Sequence, residues 1–253
     1  MQHHRTGFPI RGLRLIAAHR RTARTDRILS LILAGLAGCA NAGGFILLGH
    51  YTSHMTGYLS QIADNLVLQN FALVAQSAVA IVCFTTGAAS SAVAINWARL
   101  RAPTQQYTVP IGIQGVLFLA LTAVGATKAY GAPAISLALL CFIMGFQNAT
   151  ITKISYARIR TTHATGIITD VGIQLGRAAF AKTHPQSTVQ ADKAKLILLL
   201  QLLAVFLLGG IIGAYGYSRF DYAFSLPLAA ILLGLARLGQ RRVSVKPIPA
   251  PKP

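Results

Sequence analysis

The sequence predicts an all-α polytopic membrane protein with six transmembrane helices, arranged as two inverted three-helix repeats. Each repeat is expected to carry a short polar helix, broken or re-entrant, after its first span. Three observations predict this fold class: six long apolar segments, basic residues on one side of the membrane, and an internal repeat. Of the 253 residues, 54 % are hydrophobic and 11 % charged, about half the charged fraction of a soluble domain. This composition excludes a soluble enzyme, a disulfide scaffold and a disordered chain.

The six apolar segments are each about 17 to 27 residues long, the length that an α-helix needs to cross about 30 Å of hydrocarbon. Only helices and closed barrels satisfy their backbone groups in lipid. The apolar runs are continuous, without the alternation of a membrane β-barrel. The predicted spans are residues 28–49, 71–97, 109–127, 132–152, 196–218 and 222–238.

The net charge of +18 lies mostly on one side of these spans. With the N-terminus in the cytoplasm, all of the 23 Lys and Arg residues except Lys128 and Arg219 fall on the cytoplasmic side. This asymmetry predicts a protein of the cytoplasmic (inner) membrane with both termini in the cytoplasm. The basic segments would attract anionic lipid of the cytoplasmic leaflet. No nucleic-acid readout motif accompanies the charge, so nucleic acid is not expected as a partner.

A six-residue motif occurs twice in the chain. Residues 52–57 read TSHMTG and residues 161–166 read TTHATG, with four identities, and an Asn-Ala pair precedes each copy. Each copy follows the first span of a set of three, and an odd number of spans turns the second set upside down. Inverted repeats of this kind occur in transporters, whose sites lie between the repeats.

The duplication divides the chain into four parts. They are a basic cytoplasmic N-terminal tail (1–27), a first membrane repeat (28–130), a second membrane repeat (131–240) and a Pro- and Lys-rich cytoplasmic tail (241–253). Small residues allow transmembrane helices to approach closely. We therefore expect close helix contact at four glycines of the fifth span, Gly209, Gly210, Gly213 and Gly216.

The segment that follows each motif is too polar for a lipid-facing helix and too apolar for a plain loop. Thr before Gly suits a backbone break that opens a short helix, because a hydroxyl can cap free N–H groups and Gly accepts a positive φ. We predict two short helices that enter from opposite sides, and an interfacial connector is the alternative. The candidate transport or structural site consists of Asn41, His54, Thr56, Gly57, Asp64, Gln147, Asn148, His163, Thr165, Gly166 and Asp170.

These candidates differ in what they could do. The two histidines match between the repeats and could relay protons, or make structural hydrogen bonds in a turn. Cys and carboxylate ligands are missing at suitable spacing, so no metal site is expected. The two aspartates are functional candidates because acids are rare in membranes, and caps or interfacial acids are the alternative. The three amides lie in spans, where they usually form interhelical hydrogen bonds.

The sequence contains no Glu and only five Asp residues, and it lacks nucleotide-binding, metalloprotease and serine-hydrolase motifs. An enzyme and a cofactor are therefore not expected. The leading hypothesis is a transporter or channel for an unknown small solute or ion, with its pathway between the repeats. The alternative is a non-transporting membrane scaffold or partner subunit. Association into a homo-oligomer is left open.

At these motifs the chain resembles the YoaK-like family of bacterial inner-membrane proteins, a family of unknown function. The resemblance covers about residues 28–240 and rests on residues 41–42 (NA), 53–57 (SHMTG), 145–149 (GFQNA), 161–162 (TT), 165–166 (TG) and 169–170 (TD). Asn41 stands where Asp is usual in that family, and Tyr58 stands where Asn usually follows Thr-Gly. If the usual Asp carries a proton or cation, the resemblance implies that this chain has lost or changed that coupling.

Overall fold

The computed structural model describes residues 23–101, 105–154 and 164–240, and every regular element in these ranges is helical. Residues 1–22 of the predicted N-terminal tail, the predicted C-terminal tail (241–253) and His163 lie outside the described residues. The α-helices are α1 (Ala23–Leu48), α2 (Met55–Val67), α3 (Phe71–Arg101), α4 (Thr108–Ala126), α5 (Ala132–Ile154), α6 (Ala164–Thr183), α7 (Lys193–Phe220) and α8 (Ser225–Gln240), with a 3₁₀ helix (Asp221–Phe224) before α8.

Five stretches of the described chain are long and apolar enough to cross a membrane, as expected for a multi-pass membrane protein. They are Asp26–Leu48, Phe71–Arg101, Thr108–Ala126, Ala132–Lys153 and Lys193–Gly239. The first four agree with predicted spans to within about four residues. The fifth, of 47 residues, contains the last two predicted spans together.

The chain turns sharply inside this fifth stretch. Asp221 has a φ of +52° and ends α7. The hydroxyl oxygens of Tyr217 and Ser225 lie 2.9 Å apart, whereas residues eight apart in a continuous helix are separated by about 12 Å along its axis. The stretch is therefore divided into two helices, α7 and α8.

Helix ends follow local sequence signals. Gly49 follows α1 with a φ of +73°, which is unstrained only for glycine and stops the helix. The Asp192 carboxylate caps α7 by accepting a hydrogen bond from the Lys195 amide at 2.9 Å. Pro110, Pro133 and Pro227 lie in the first turns of α4, α5 and α8, where a missing N–H leaves no bond unmade.

The helices pack in three main pairs: α1 against α7, α3 against α5, and α4 against α8. Helices α1 and α5 are the most buried and form the centre of the molecule. Contacts between Gly35 and Gly209, and between Gly43 and Tyr217, show that α1 and α7 run parallel.

The other two pairs differ in direction. Helices α3 and α5 are also parallel, because Gly87 lies against Phe142 and the hydroxyls of Ser91 and Thr150 are 2.8 Å apart. Helices α4 and α8 are antiparallel. In that pair Gly112 faces Ala236, whereas Gly115, further along α4, faces Ala229 and Leu233.

Two helix crossings leave no room for a side chain. A Cβ atom on Gly38 would overlap the carbonyl oxygen of Phe206, and one on Gly145 would overlap that of Phe84. The predicted contacts of α7 glycines are confirmed for Gly209, Gly213 and Gly216. The first two lie against the α1 backbone and the third against the ring of Phe224. A Cβ on Gly210 would make only an ordinary contact, at 3.9 Å from the Gly38 carbonyl oxygen.

Candidate functional site

The chain folds back along α1 before α2 begins. The side-chain oxygen of Asn41 accepts hydrogen bonds from the Ser53 amide at 3.2 Å and the Ser53 hydroxyl at 2.9 Å. Asn41 lies seven residues before Leu48, the end of α1, which corresponds to about 10 Å along the axis. Thr52 is fully buried beside Gly44. The chain therefore returns along the last turns of α1 before α2 begins.

The backbone break does not fall at the Thr-Gly pair. Thr56 and Gly57 form the first turn of α2, and among the described glycines the positive φ is at Gly49. The prediction of a left-handed Gly57 is therefore wrong, because the tight turn is made earlier, after α1. Gly57 is restricted for another reason: a Cβ there would lie 2.6 Å from the His54 Nε2 atom and closer still to another ring atom.

Tyr58, the next residue, anchors α2 to the rest of the molecule. It is 3 % exposed and packs with Ala80, Leu137 and Cys141, which belong to α3 and α5. Burial raises the pKa of the Tyr58 hydroxyl above its ordinary value. Sequence reasoning did not choose Tyr58 as a site residue, although its place on the apolar face of a short helix was a usable signal.

The other polar candidates of this segment lie at the surface. The side chains of His54, Thr56 and Asp64 are exposed. His54 is the N-cap residue of α2 but makes no side-chain capping bond. His50, which the sequence analysis did not choose, is half-buried, with its Nε2 atom 3.0 Å from the side-chain nitrogen of Gln76 on α3.

The second copy of the motif begins α6. Thr165 and Gly166 lie in the first turn of this helix and are exposed. The Asp170 carboxylate forms a salt bridge with the Lys195 ammonium at 3.0 Å, and both side chains are more than 40 % exposed. Gln174 is buried, and its side-chain oxygen accepts a hydrogen bond from the Asp192 amide at 2.8 Å. Asp170 is therefore paired with a basic residue at the surface, where α6 packs along the start of α7.

A buried amide network joins three central helices. Gln147 on α5 is fully buried, and its side-chain nitrogen donates to the Leu33 carbonyl oxygen of α1 at 2.6 Å. Its oxygen accepts from the side-chain nitrogen of Gln114 on α4 at 2.8 Å. The Gln114 side-chain oxygen is buried and has no hydrogen-bond partner among the described residues. Sequence reasoning missed Gln114, although an amide inside a predicted span was the signal that could have found it. Asn148 is also buried.

The structure does not bring the described candidates into one site. It distributes them among four places: the return of the chain beside α1, the exposed surface of α2, the surface between α6 and α7, and the buried part of α5. Across the described ranges, every polar residue classed as buried is uncharged, and no group of three His, Cys, Asp or Glu residues could hold a metal ion. The arrangement can form hydrogen bonds, and the residues classed as buried in the described ranges carry no formal charge. One carboxylate oxygen of Asp26 on α1 is buried, although Asp26 as a whole is partly exposed.

Comparison with known proteins gives one match. No curated protein and no solved structure matches this chain. A family model described as "Protein of unknown function (DUF1275)" matches residues 29–238, and the YoaK-like resemblance is consistent with that family. Because the match covers most of the sequence, the chain belongs to the DUF1275 family of proteins of unknown function.

Proposed function

We propose that the chain is a small-solute or ion transporter or channel of the inner membrane, with six spans in two inverted repeats and a pathway between them. The six-span arrangement takes α7 and α8 as separate crossings. Its first repeat contains α1 to α4 and its second contains α5 to α8.

The pairing of helices supports the repeat. The first span of each repeat packs against the second span of the other, α1 on α7 and α5 on α3, and the third spans pack together. An inverted duplication about a two-fold axis would give this pairing, with the third spans antiparallel as observed.

Matched residues make matched contacts in this arrangement. Gly38 and Gly145 are 107 residues apart, as are Asn41 and Asn148. The two carbonyl groups that face these glycines, those of Phe206 and Phe84, are 122 residues apart. Each repeat therefore presents the same close approach of glycine to backbone.

The observation that carries the functional proposal is the amide network. Gln147 of the second repeat contacts Gln114 and the Leu33 carbonyl of the first repeat, so buried polar groups lie at the interface between the repeats. An unpaired buried acceptor is costly, at about 1–3 kcal/mol, and the unpaired oxygen of Gln114 would be satisfied by a hydrogen-bond donor from water or a solute. Transporter sites are expected at such interfaces.

The neutral character of the buried polar residues favours an uncharged, hydrogen-bonding solute within this proposal. Asp170, the candidate acid of the second repeat, forms a surface salt bridge with Lys195, and Asp64 is exposed. Neither position gives support to a buried proton carrier.

Flux through liposomes tests the proposal. Purified full-length protein would be reconstituted, and the entry of small polyols, amides and inorganic ions would be followed by stopped-flow light scattering and ion-selective dyes. We expect at least one solute to cross faster than in empty liposomes, and Gln147→Leu and Gln114→Leu to reduce that rate. Gln190→Leu, the same change at an exposed position outside the candidate site, is the matched control. Equal rates in empty and protein-containing liposomes for all solutes would contradict transport.

The alternative of a non-transporting scaffold is favoured by the glycine crossings, which hold the two repeats in close contact. A reversible disulfide between the two repeats distinguishes a scaffold from a transporter whose repeats move. The Ser91 and Thr150 hydroxyls are 2.8 Å apart, so Ser91→Cys with Thr150→Cys places two thiols within reach of a disulfide. Oxidation should stop the flux of a transporter whose repeats move, and reduction should restore it. A static channel would conduct in both states, and a scaffold in neither.

A further inference from the structure

A groove of about 510 Å³ runs between α3 and α4 on the outer face of the helices. Its floor and walls are almost entirely apolar, and small residues of α3 make the space. Six of the lining residues are Thr86, Ala89, Ser90, Val93, Trp97 and Ile113.

The groove has the length of one lipid leaflet. Thr86 and Trp97 lie at its two ends on α3 and are eleven residues apart, which is about 16 Å along the helix. Half of the hydrocarbon core measures about 15 Å. Trp97 is half exposed, and indole rings of this kind are enriched at the level of lipid headgroups.

Positive charge follows directly at the Trp97 end. The Arg101 guanidinium lies over the Trp97 ring, 5.1 Å from its centroid. Arg99 is also exposed, and its Nε atom donates a hydrogen bond to the side-chain oxygen of Gln106 at 3.0 Å. The sequence has no acidic residue between Asp64 and Asp170. This end of the groove is therefore well suited to a phosphate group.

We infer that the groove binds one anionic phospholipid, with an acyl chain along α3 and the phosphate at Arg101. The lipid belongs to the leaflet at the C-terminal end of α3, which is cytoplasmic in the proposed topology. The inference does not depend on transport, since it rests on the groove and its charged end alone.

The matching surface of the other repeat shows that the groove is a particular feature of α3. The α7 residues that lie 122 positions after Thr86, Ala89, Ser90 and Val93 are Leu208, Ile211, Ile212 and Tyr215. These side chains are large and more than half exposed. The corresponding position to Trp97 is occupied by Arg219, without an indole.

This difference supplies the test. Purified full-length protein in detergent would be mixed with phosphatidylglycerol or with phosphatidylcholine of the same acyl chains. Bound lipid per chain would be counted by native mass spectrometry, and the thermal midpoint recorded for each lipid. The variants are Ala89→Ile with Ser90→Ile, which places the α7 side chains in the groove, and Arg101→Gln, which removes the charge. The matched control is Arg219→Gln.

We expect one retained phosphatidylglycerol in the parent protein and in the control, and much weaker retention of phosphatidylcholine. Arg101→Gln should weaken phosphatidylglycerol binding about fivefold, and the doubly filled variant should lose the bound lipid. Equal retention of the two lipids would overturn the inference, as would unchanged binding by a folded filled variant. If the filled variant does not fold, unchanged binding by Arg101→Gln overturns it alone.

Discussion

The two halves of the chain, residues 28–130 and 131–240, share their packing and differ in their exposed short helices. Both halves place the first long helix at the centre, and both bring a glycine of that helix onto a partner's carbonyl group. Helices α2 and α6 then occupy matching places, each packed along the start of the following long helix. Tyr58 of α2 and Ile167 of α6 follow the Thr-Gly pairs and are both buried.

The two halves nevertheless differ in the number of basic residues around their short helices. No Lys or Arg lies between Arg27 and Arg99, so α2 and the start of α3 carry none. Helix α6 and the start of α7 carry Arg177, Lys182, Lys193 and Lys195. Packing requires similar residues at buried positions in both halves. In the proposed topology, α2 and α6 lie on opposite sides of the membrane, and the basic residues would follow the cytoplasmic side. The comparison therefore separates what the fold requires from what the location requires.

The largest expected effect is the all-or-none signal of reporters that show on which side of the membrane each loop lies. A topology reporter fused after residue 130 should indicate an external position. Reporters fused after residues 103, 190 and 253 should indicate a cytoplasmic position. The reason is the exclusion of basic segments from the external side. The fusion after residue 253 decides whether α7 and α8 cross separately. An external C-terminus there would fit five spans and break the comparison of two three-helix halves.

The next effect is loss of folding at the two glycine crossings. Gly38→Ala and Gly145→Ala each place a Cβ on a backbone carbonyl oxygen, so the helices must separate. Overpacking of this kind costs about 1–3 kcal/mol and sometimes more. We expect both variants to lower the thermal midpoint in detergent by similar amounts.

Gly172→Ala and Gly234→Ala are the controls, because nothing lies within 4 Å of a Cβ at either position. They should be neutral or slightly stabilising, since Ala favours a helix over Gly by about 0.5–1 kcal/mol. A strong effect at Gly38 with none at Gly145 would show that the two crossings are not equivalent.

The helices and their approximate ends could be predicted from the sequence, because apolar length and turn residues are local signals. Four predicted spans agree with the candidate spans of the structure to within a few residues. The role of the Thr-Gly pair could not be predicted. Its position relative to the break depends on Gly49 and on the bonds between Asn41 and Ser53, which join residues from different elements.

The hydrogen-bond and ion-pair partners of the candidate residues also could not be predicted from the sequence. Gln147 was a candidate as a single buried amide, but its partner Gln114 is 33 residues away on another helix. Asp170 was a candidate because acids are rare in membranes, and its pairing with Lys195 depends on the antiparallel packing of α6 on α7. The sequence around a residue indicates how polar its segment is and whether it lies in a span. Which residues contact each other depends on how the helices pack.

A moderate effect is expected where the chain returns along α1. Asn41→Leu removes the acceptor of the Ser53 amide and hydroxyl, which should cost about 1–3 kcal/mol. Asn41→Asp keeps an acceptor and should retain most of the stability. Thermal unfolding measures the loss, and proteolysis of the loop after α1 should increase with it. Thr56→Val, at an exposed position of the same motif, should change neither, and equal behaviour of all three variants would remove the proposed anchoring role of Asn41.

The smallest effect is expected for the ion pair of the second half. Asp170→Asn, Lys195→Gln and the double variant form a double-mutant cycle, and an exposed pair of this kind contributes about 0.2–1 kcal/mol. The coupling should fall as salt is raised, because both side chains are more than 40 % exposed and exposed charges are screened. The same cycle gives a sharp test of function. If Asp170→Asn abolishes solute flux while the thermal midpoint and the coupling with Lys195 stay within these small limits, the acid acts on a substrate and not as a surface contact. The two short helices would then differ in chemistry as well as in charge.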